Sequence, residues 1–192
     1  MIAEILAKVG RFNPAEIDLF ADTVTAYKLA KGDFLLHEGE VCRSVYYIQS
    51  GSLYQYSNGD GEQQIIDLHT AHEWCFNHAS FVEQKPSTTN LVTYSDGTVL
   101  SLTIRQIHAL IAYSPAFLQM GHLLQQGVTR LHYFDNNLSP AEKYEYVLTH
   151  RPQIVQAFPL KLIASYLKIT PETLSRVREK LARVDSRGTR TS

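Results

Sequence analysis

The sequence predicts an α+β protein made of an N-terminal β-roll (a double-stranded jelly roll), one long helix and a C-terminal helix-turn-helix. Residues 23–103 consist of short β-branched and aromatic segments separated by glycine-containing turns. Residues 114–135 carry apolar side chains at helical spacing, and residues 158–180 read as two short helices joined by a tight turn. We therefore expect domains at 1–113, 114–135 and 136–192, with enough chain to bury a real core.

A short helix comes before the β-rich region. Asn13 is a good N-cap, Pro14 suits the first helical position, and Glu16 completes a capping box, so this helix should end near Asp22. The predicted strands that follow include residues 45–49, 53–56, 64–68 and 91–94. Strong turn signals lie at 50–51, 58–61 and 96–97. Strands this short and this closely spaced indicate an all-β barrel or roll.

The long helix is predicted to begin near Ser114-Pro115 and to end near Asp135. Its apolar stripe has near-heptad spacing and comprises Phe117, Met120, Leu124, Val128 and Leu131, with Leu138 beyond it. Such a stripe is either core packing or a dimer seam. We favour the seam, because a roll and a small helical domain give it too little cover. A hinge is expected at 135–138. A new helix then starts with Ser139, Pro140 and Glu142 and reaches about His150.

The last two predicted helices have distinct inner and outer faces. Leu162, Ile163, Tyr166 and Leu167 form the apolar face of the first. In the second, Thr170 is the expected N-cap, Pro171 and Glu172 lie in the first turn, and the inward stripe is Leu174, Val177 and Leu181. Thr173, Ser175, Arg176, Arg178 and Lys180 are left facing outward. The small polar residues 185–192 are expected to be disordered.

Polar and basic side chains on such a helix are typical of one that reads the major groove of DNA. The predicted DNA-binding residues are Thr170, Pro171, Glu172, Thr173, Ser175, Arg176, Arg178 and Lys180. Charge supports this hypothesis: residues 136–192 hold ten Lys and Arg against five Asp and Glu, a formal +5, whereas residues 1–135 hold eight against fourteen, a formal −6. The alternative is an ordinary helical hairpin with a solvated basic face.

Several other functional classes find little support in the sequence. We see no P-loop, Gly-x-Ser-x-Gly or dinucleotide-binding fingerprint, so no enzyme is predicted. No apolar run approaches the ~20 residues that span a bilayer, and Cys42 and Cys75 imply no disulfide framework, so a cytoplasmic protein without membrane contact is expected. His69, His72, Cys75 and His78 recur every third residue, but that spacing aligns metal ligands only in a helix, and strand and loop are expected there. No metal or cofactor is predicted.

The order of the elements resembles that of the Crp/Fnr (cyclic-AMP receptor protein / fumarate–nitrate regulator) superfamily of bacterial transcription regulators. Residues 32–40 and 45–53 look like the start of its cyclic-nucleotide-binding β-roll. Residues 163–176 resemble its helix-turn-helix, particularly that of a Bacteroidetes-like branch. The resemblance implies a homodimer that binds a palindromic DNA site in the major groove and contacts RNA polymerase.

The sequence also departs from the family pattern. The family's phosphate-binding cassette carries a glutamate for the ribose and an arginine for the cyclic phosphate, where this chain has Asn77 and Ser87. Tight binding of cyclic AMP is therefore not expected. The pocket is predicted to be lined by Trp74, Phe76, Asn77, Ser87, Thr88 and Thr89, and either holds a neutral or weakly polar ligand or is filled.

A second departure concerns DNA binding. Pro171 stands where the best-known members begin their recognition helix with an arginine, so the operator sequence cannot be transferred from them. The chain ends soon after Lys180, which leaves little room for the β-hairpin wing common in the family. The alternative function is therefore a ligand-binding or protein-interaction module of the same fold that has lost DNA binding.

Overall fold

An antiparallel β-roll and a group of C-terminal helices make up the structure, a computed structural model that describes residues 1–59, 62–124 and 138–188, with side chains as far as 183. In chain order the elements of the roll are α1 (Ile2–Ala7), α2 (Pro14–Thr23), β1 (Thr25–Leu29), β2 (Phe34–Leu36), β3 (Ser44–Asn58), β4 (Gln63–His69), β5 (Trp74–Cys75), α3 (His78–Glu83), β6 (Asn90–Thr103), α4 (Ile104–Tyr113) and a 3-10 helix (Pro115–Gly121). The C-terminal elements are α5 (Pro140–His150), α6 (Pro152–Ala157), α7 (Leu160–Tyr166) and α8 (Pro171–Gly188).

The sheet is organised around its two long strands. The strand order is β1-β6-β3-β4, with β2 also paired to β6 and β5 to β3. The prediction of turns at 50–51 and 96–97 is wrong, because residues 50–51 lie inside β3 and residues 96–97 lie inside β6. The register between these two strands shifts near residues 50–51. Gly51 has φ +84, and a Cβ there would lie 2.7 Å from the Asp96 carbonyl oxygen. Glycine is needed for close approach of two bent strands rather than for a hairpin.

Two separate apolar cores pack against the long strands. The first joins the sheet to α1, α2, α4 and the 3-10 helix, and includes the fully buried Phe20, Ile48 and Leu102. The second joins β3, β4 and β6 to the C-terminal helices, and includes Leu68 and Ile163, both 0% exposed. The C-terminal helices therefore share a core with the roll.

The predicted long helix begins differently from expectation. Ser114 caps the segment by accepting a hydrogen bond from the Ala116 amide, but residues 115–121 form a 3-10 helix instead of an α-helix. Phe117 is fully buried and Met120 is 4% exposed within the first core, where Phe117 packs on Phe12 with ring centroids 5.2 Å apart. Three residues per turn stack Phe117 directly over Met120, which lets both reach that core. Leu124 is partly buried beside it. Val128, Leu131 and residues 135–137 of the predicted hinge lie outside the described residues.

The C-terminal helices begin where their capping signals lie. Ser139 and Glu142 form a complete capping box at α5. The Thr170 hydroxyl accepts a hydrogen bond from the Thr173 amide at 3.2 Å, and Pro171 opens α8. α8 continues to Gly188, so the disorder expected from residue 185 onward is wrong as far as 188. None of the helices in the described part of the chain is long and apolar enough to cross a membrane.

Replacing Phe117 with alanine tests the packing of the 3-10 helix. We expect the free energy of unfolding to fall by about 3–5 kcal/mol, because the change leaves a large cavity in the first core. The matched control is Leu118→Ala, since Leu118 is 63% exposed and its loss should change stability by less than about 0.5 kcal/mol. Urea unfolding of both variants measures the difference, and equal effects would contradict the packing described here.

Candidate functional site

A buried polar cluster lies at the start of α3. We define it by Gln55, Asn77, Ser80, Ser87 and Thr89, each no more than 7% exposed. The Asn77 amide nitrogen donates to Ser87 Oγ at 3.0 Å and to Thr89 Oγ1 at 2.7 Å. Gln55 Nε2, from β3, donates to the same Thr89 hydroxyl at 2.7 Å. The polar cluster therefore joins a strand, a helix start and the loop before β6.

Local sequence explains how these groups meet. Asn77 is the N-cap of α3, and its Oδ1 accepts the Ser80 amide at 2.8 Å, which fixes the side chain. α3 ends at Gln84, a non-glycine residue with φ +52, and the chain then turns back toward the helix start. Ser87 Oγ donates to the Thr89 carbonyl and accepts the Thr89 amide, which closes a tight turn. Both hydroxyls are thereby aimed at Asn77.

The polar cluster contains only neutral side chains, and their hydrogen bonds are made to one another and to nearby backbone. Ser80 Oγ, for example, accepts the Cys42 amide at 2.8 Å. A buried anion placed here would find no opposite charge and would displace existing hydrogen bonds. The arrangement is therefore chemically suited to holding the roll together or to binding a neutral group, and not to gripping a phosphate.

The predicted pocket residues have three different environments. Asn77, Ser87 and Thr89 come together as expected. Trp74 and Phe76 are each 8% exposed within the first core, where Trp74 packs edge-on against Tyr47 and Phe76 against Phe81, so they do not form two walls of an open pocket. Thr88 is exposed to solvent, and its assignment to the pocket lining stays a prediction. Its neighbours 87 and 89 turn inward, which leaves the residue between them outside.

Two members of the polar cluster were missed from the sequence. Gln55 lies on β3 between Tyr54 and Tyr56, and its inward orientation follows from the register of the strand. Ser80 is the third residue of α3, where its backbone amide meets the Asn77 cap. An N-cap pattern at 77–80 was the available signal for Ser80. No comparable local signal identifies Gln55.

The outer face of α8 is the second candidate site. Pro171, Glu172, Ser175, Arg176, Arg178 and Lys180 are exposed, together with the cap Thr170, and Thr173 is partly exposed. Leu174 is fully buried and Val177 and Leu181 pack against the second core, as the inward stripe predicted. Hydrogen bonds from its own backbone amide and from the Thr170 side chain lower the pKa of Glu172, which keeps this carboxylate ionised. α8 therefore presents cations together with one anion near its start.

The four residues of the histidine and cysteine pattern lie in different elements and do not converge on one point. His69 ends β4, His72 lies in a turn with φ +71, Cys75 is buried in β5 and His78 begins α3. Within the described ranges, no group of three or more His, Cys, Asp or Glu side chains is placed to hold a metal ion.

Residues 27–114, from β1 to just past α4, match the family model described as the cyclic nucleotide-binding domain. This span contains the whole polar cluster, and it has the fold of that domain. No curated protein matches the chain in sequence.

Solved structures extend the likeness to most of the chain. The catabolite activator protein of Thermus thermophilus is 20% identical, with coverage of 91% of this chain and 85% of that one and a TM-score of 0.55. FixK2 of Bradyrhizobium japonicum is 15% identical, with coverage of 86% of each chain and a TM-score of 0.65. CLP of Xanthomonas campestris is 15% identical, with coverage of 90% of this chain and 93% of that one and a TM-score of 0.62. At these identities the likeness establishes the fold alone.

Replacing Asn77 with alanine tests the structural role of the polar cluster. The change removes the α3 cap and the hydrogen bonds that Asn77 donates to the Ser87 and Thr89 hydroxyls, so the free energy of unfolding should fall by about 1–3 kcal/mol. Thr88→Ala is the matched control, because this exposed neighbour should change stability by less than about 0.5 kcal/mol. Thermal and urea unfolding measure both. A neutral Asn77→Ala would mean that the cluster contributes nothing to the fold.

Proposed function

We propose that this chain is a DNA-binding transcription regulator of the Crp/Fnr type that acts as a homodimer. The observation that carries the proposal is the exposed basic face of α8, which follows α7 through a short turn and stands on an otherwise acidic protein. Ordinary solvated helices carry charge too, but here the positive charge is concentrated at one end of the chain. A polyanion would be attracted to that end and repelled by the rest.

In the proposed complex, α7 and α8 form a helix-turn-helix and α8 enters the major groove. Arg176, Arg178 and Lys180 supply contacts to phosphates or to guanine edges. Thr170, Thr173 and Ser175 supply short hydroxyl groups near the helix start. The Glu172 carboxylate suits acceptance of a hydrogen bond from cytosine rather than contact with phosphate, because like charges repel.

A homodimer would place two such helices about one DNA turn apart, ~34 Å, on a palindromic site. We retain the apolar seam as the proposed contact between subunits, with Leu124 its best placed member among the described residues. Contact with RNA polymerase, the Bacteroidetes-like branch and a cytoplasmic location are proposed from the resemblance and the sequence.

We also propose that the roll does not bind cyclic AMP tightly. The support is the polar cluster, in which neutral, mutually bonded side chains stand where the family has a glutamate and an arginine. The fold itself is compatible with other ligands, since CLP is a c-di-GMP responsive global regulator. If an effector exists, it is recognised without that charge pair.

Replacing Arg176 with alanine tests the proposed recognition helix. Affinity for an operator selected from genomic fragments should fall by about 1–3 kcal/mol, because an exposed arginine contact to DNA is lost. Arg105→Ala is the matched control, as it removes an exposed cation from α4, far along the chain from α8. Fluorescence anisotropy at several salt concentrations measures both variants. Unchanged binding by Arg176→Ala would count against the assignment.

Isothermal titration of the purified protein with cyclic AMP tests the proposed loss of nucleotide binding. No dissociation constant at or below about 1 μM is expected, since a buried phosphate would lack a charge-assisted partner. The same titration with Asn77→Glu/Ser87→Arg asks whether the missing pair accounts for the result. Micromolar or tighter binding by the unsubstituted chain would disprove this part of the proposal.

A further inference from the structure

Arg151 connects the C-terminal helices to the roll. It stands between α5 and α6, and its guanidinium reaches acceptors on both sides of the boundary. Nη1 lies 3.1 Å from Asp67 Oδ1, on β4, and 2.9 Å from the Tyr166 hydroxyl, on α7. Nη2 lies 2.6 Å from the Leu68 carbonyl oxygen and 2.8 Å from Glu73 Oε2. One side chain thus bonds to β4, to the loop after it and to α7.

This contact is largely shielded from water. The Arg151 side chain is 12% exposed, Asp67 is 7% and Glu73 is 21%. Burial alone would lower the pKa of Arg151, but the charges of Asp67 and Glu73 outweigh it and raise that pKa. Glu73 is itself held by the Thr70 amide and hydroxyl, each 2.7 Å away. A guanidinium with fixed acceptors on several sides has little freedom to move.

The same boundary has a second polar contact and an apolar one. The Ile65 amide of β4, the last strand in the sheet order, donates to Ser165 Oγ of α7 at 3.0 Å. Phe158 packs on Tyr94 with ring centroids 5.0 Å apart. We call this contact of β4 and its following loop with Arg151 and α7 the junction. The junction uses α7, which leaves the polar face of α8 exposed.

We propose that Arg151 is a positioning residue for DNA binding, which holds α7 against β4 so that α8 has one fixed orientation relative to the roll. This inference rests on the proposed function. A homodimer that binds two half-sites must present both recognition helices at the right spacing and angle. Each degree of freedom left in the junction lowers the effective concentration of the second helix at its half-site once the first is bound.

The consequence is specific to paired sites. A single half-site needs only the face of α8, which Arg151 does not touch. A full palindromic site also needs the fixed junction. Loss of Arg151 should therefore weaken binding to the full site much more than binding to one half-site, whereas general unfolding would weaken both together.

The test compares Arg151→Met with Arg105→Met, which removes an exposed arginine from α4, outside the junction. Anisotropy titrations with a full operator and with one half-site are run on each protein. For Arg151→Met we expect at least about a ten-fold loss on the full site and a change within about two-fold on the half-site, with Arg105→Met near the unsubstituted chain on both. Equal losses on the two DNAs would overturn the positioning role.

Hydrogen exchange at the Ile65 amide reports on the junction without DNA. Faster exchange at Ile65 in Arg151→Met, with the amides of the β3–β6 pairing still protected, is the expected result, because opening the junction frees that amide from Ser165. Unchanged exchange would overturn the proposal. If Arg151→Met does not fold, Ser165→Ala removes one junction hydrogen bond at lower cost. It is expected to show the same selective loss of binding to the full site, in smaller degree.

The two proposals fail in different ways. Absence of any DNA binding by the unsubstituted chain would overturn the proposed function and the positioning role together, while exchange at Ile65 still measures whether Arg151 holds the junction. Normal DNA binding with equal loss on both DNAs would leave the proposed function intact and remove the positioning role.

Discussion

The antiparallel pairing of β3 with β6 is the constraint on which the rest of the structure depends. Each of the other four described strands pairs with one of these two. Alternate side chains of the same strands contribute to different cores, as the neighbours Leu91 and Val92 show. Val45 and Leu102 lie in the first core, whereas Tyr56 and Val92, at the other ends of the strands, lie in the second. β3 and β6 thereby connect the core of the roll with the core that contains the C-terminal helices.

The polar cluster shows how this roll satisfies buried polar groups without a ligand. Asn77 is a neutral residue that both caps α3 and donates to two hydroxyls. Ser87 and Gln55 then complete a network whose members need no external partner. A ligand with an anionic group would have to break several of these bonds and would gain no opposite charge.

Features that depend on neighbouring residues could be predicted, and features that depend on distant partners could not. Asn13, Ser139 and Thr170 were identified as N-caps because a cap and its partner amide lie within three residues. A Gly-containing dipeptide such as 50–51 has the same local signature in a hairpin and in a bend inside a strand. Arg151 carries no local signal at all, since its carboxylate partners lie 84 and 78 residues away.

The apolar stripe of the long helix shows a related limit. Phe117 and Met120 have the spacing that a dimer seam requires, and the same spacing allows them to enter the core of their own chain. Which of these occurs depends on how much surface the roll leaves open, and periodicity carries no information about that. The structure gives both side chains to the first core, so any seam must rely on residues further along the chain.

Two inward-facing cations, Lys143 and Arg151, donate hydrogen bonds at the end of α7, just before the turn that leads to α8. Lys143 is 8% exposed and donates to the Leu167 carbonyl oxygen at 3.0 Å, where the polarity of a helix end favours a positive charge. Arg151 donates to the hydroxyl of Tyr166, the preceding residue. Both charges count in the formal +5 of residues 136–192, yet neither is placed to meet a phosphate. The hydrogen bonds of these two cations therefore hold the C-terminal helices in place, and the exposed cations of α8 carry the outward-facing positive charge of this part of the chain.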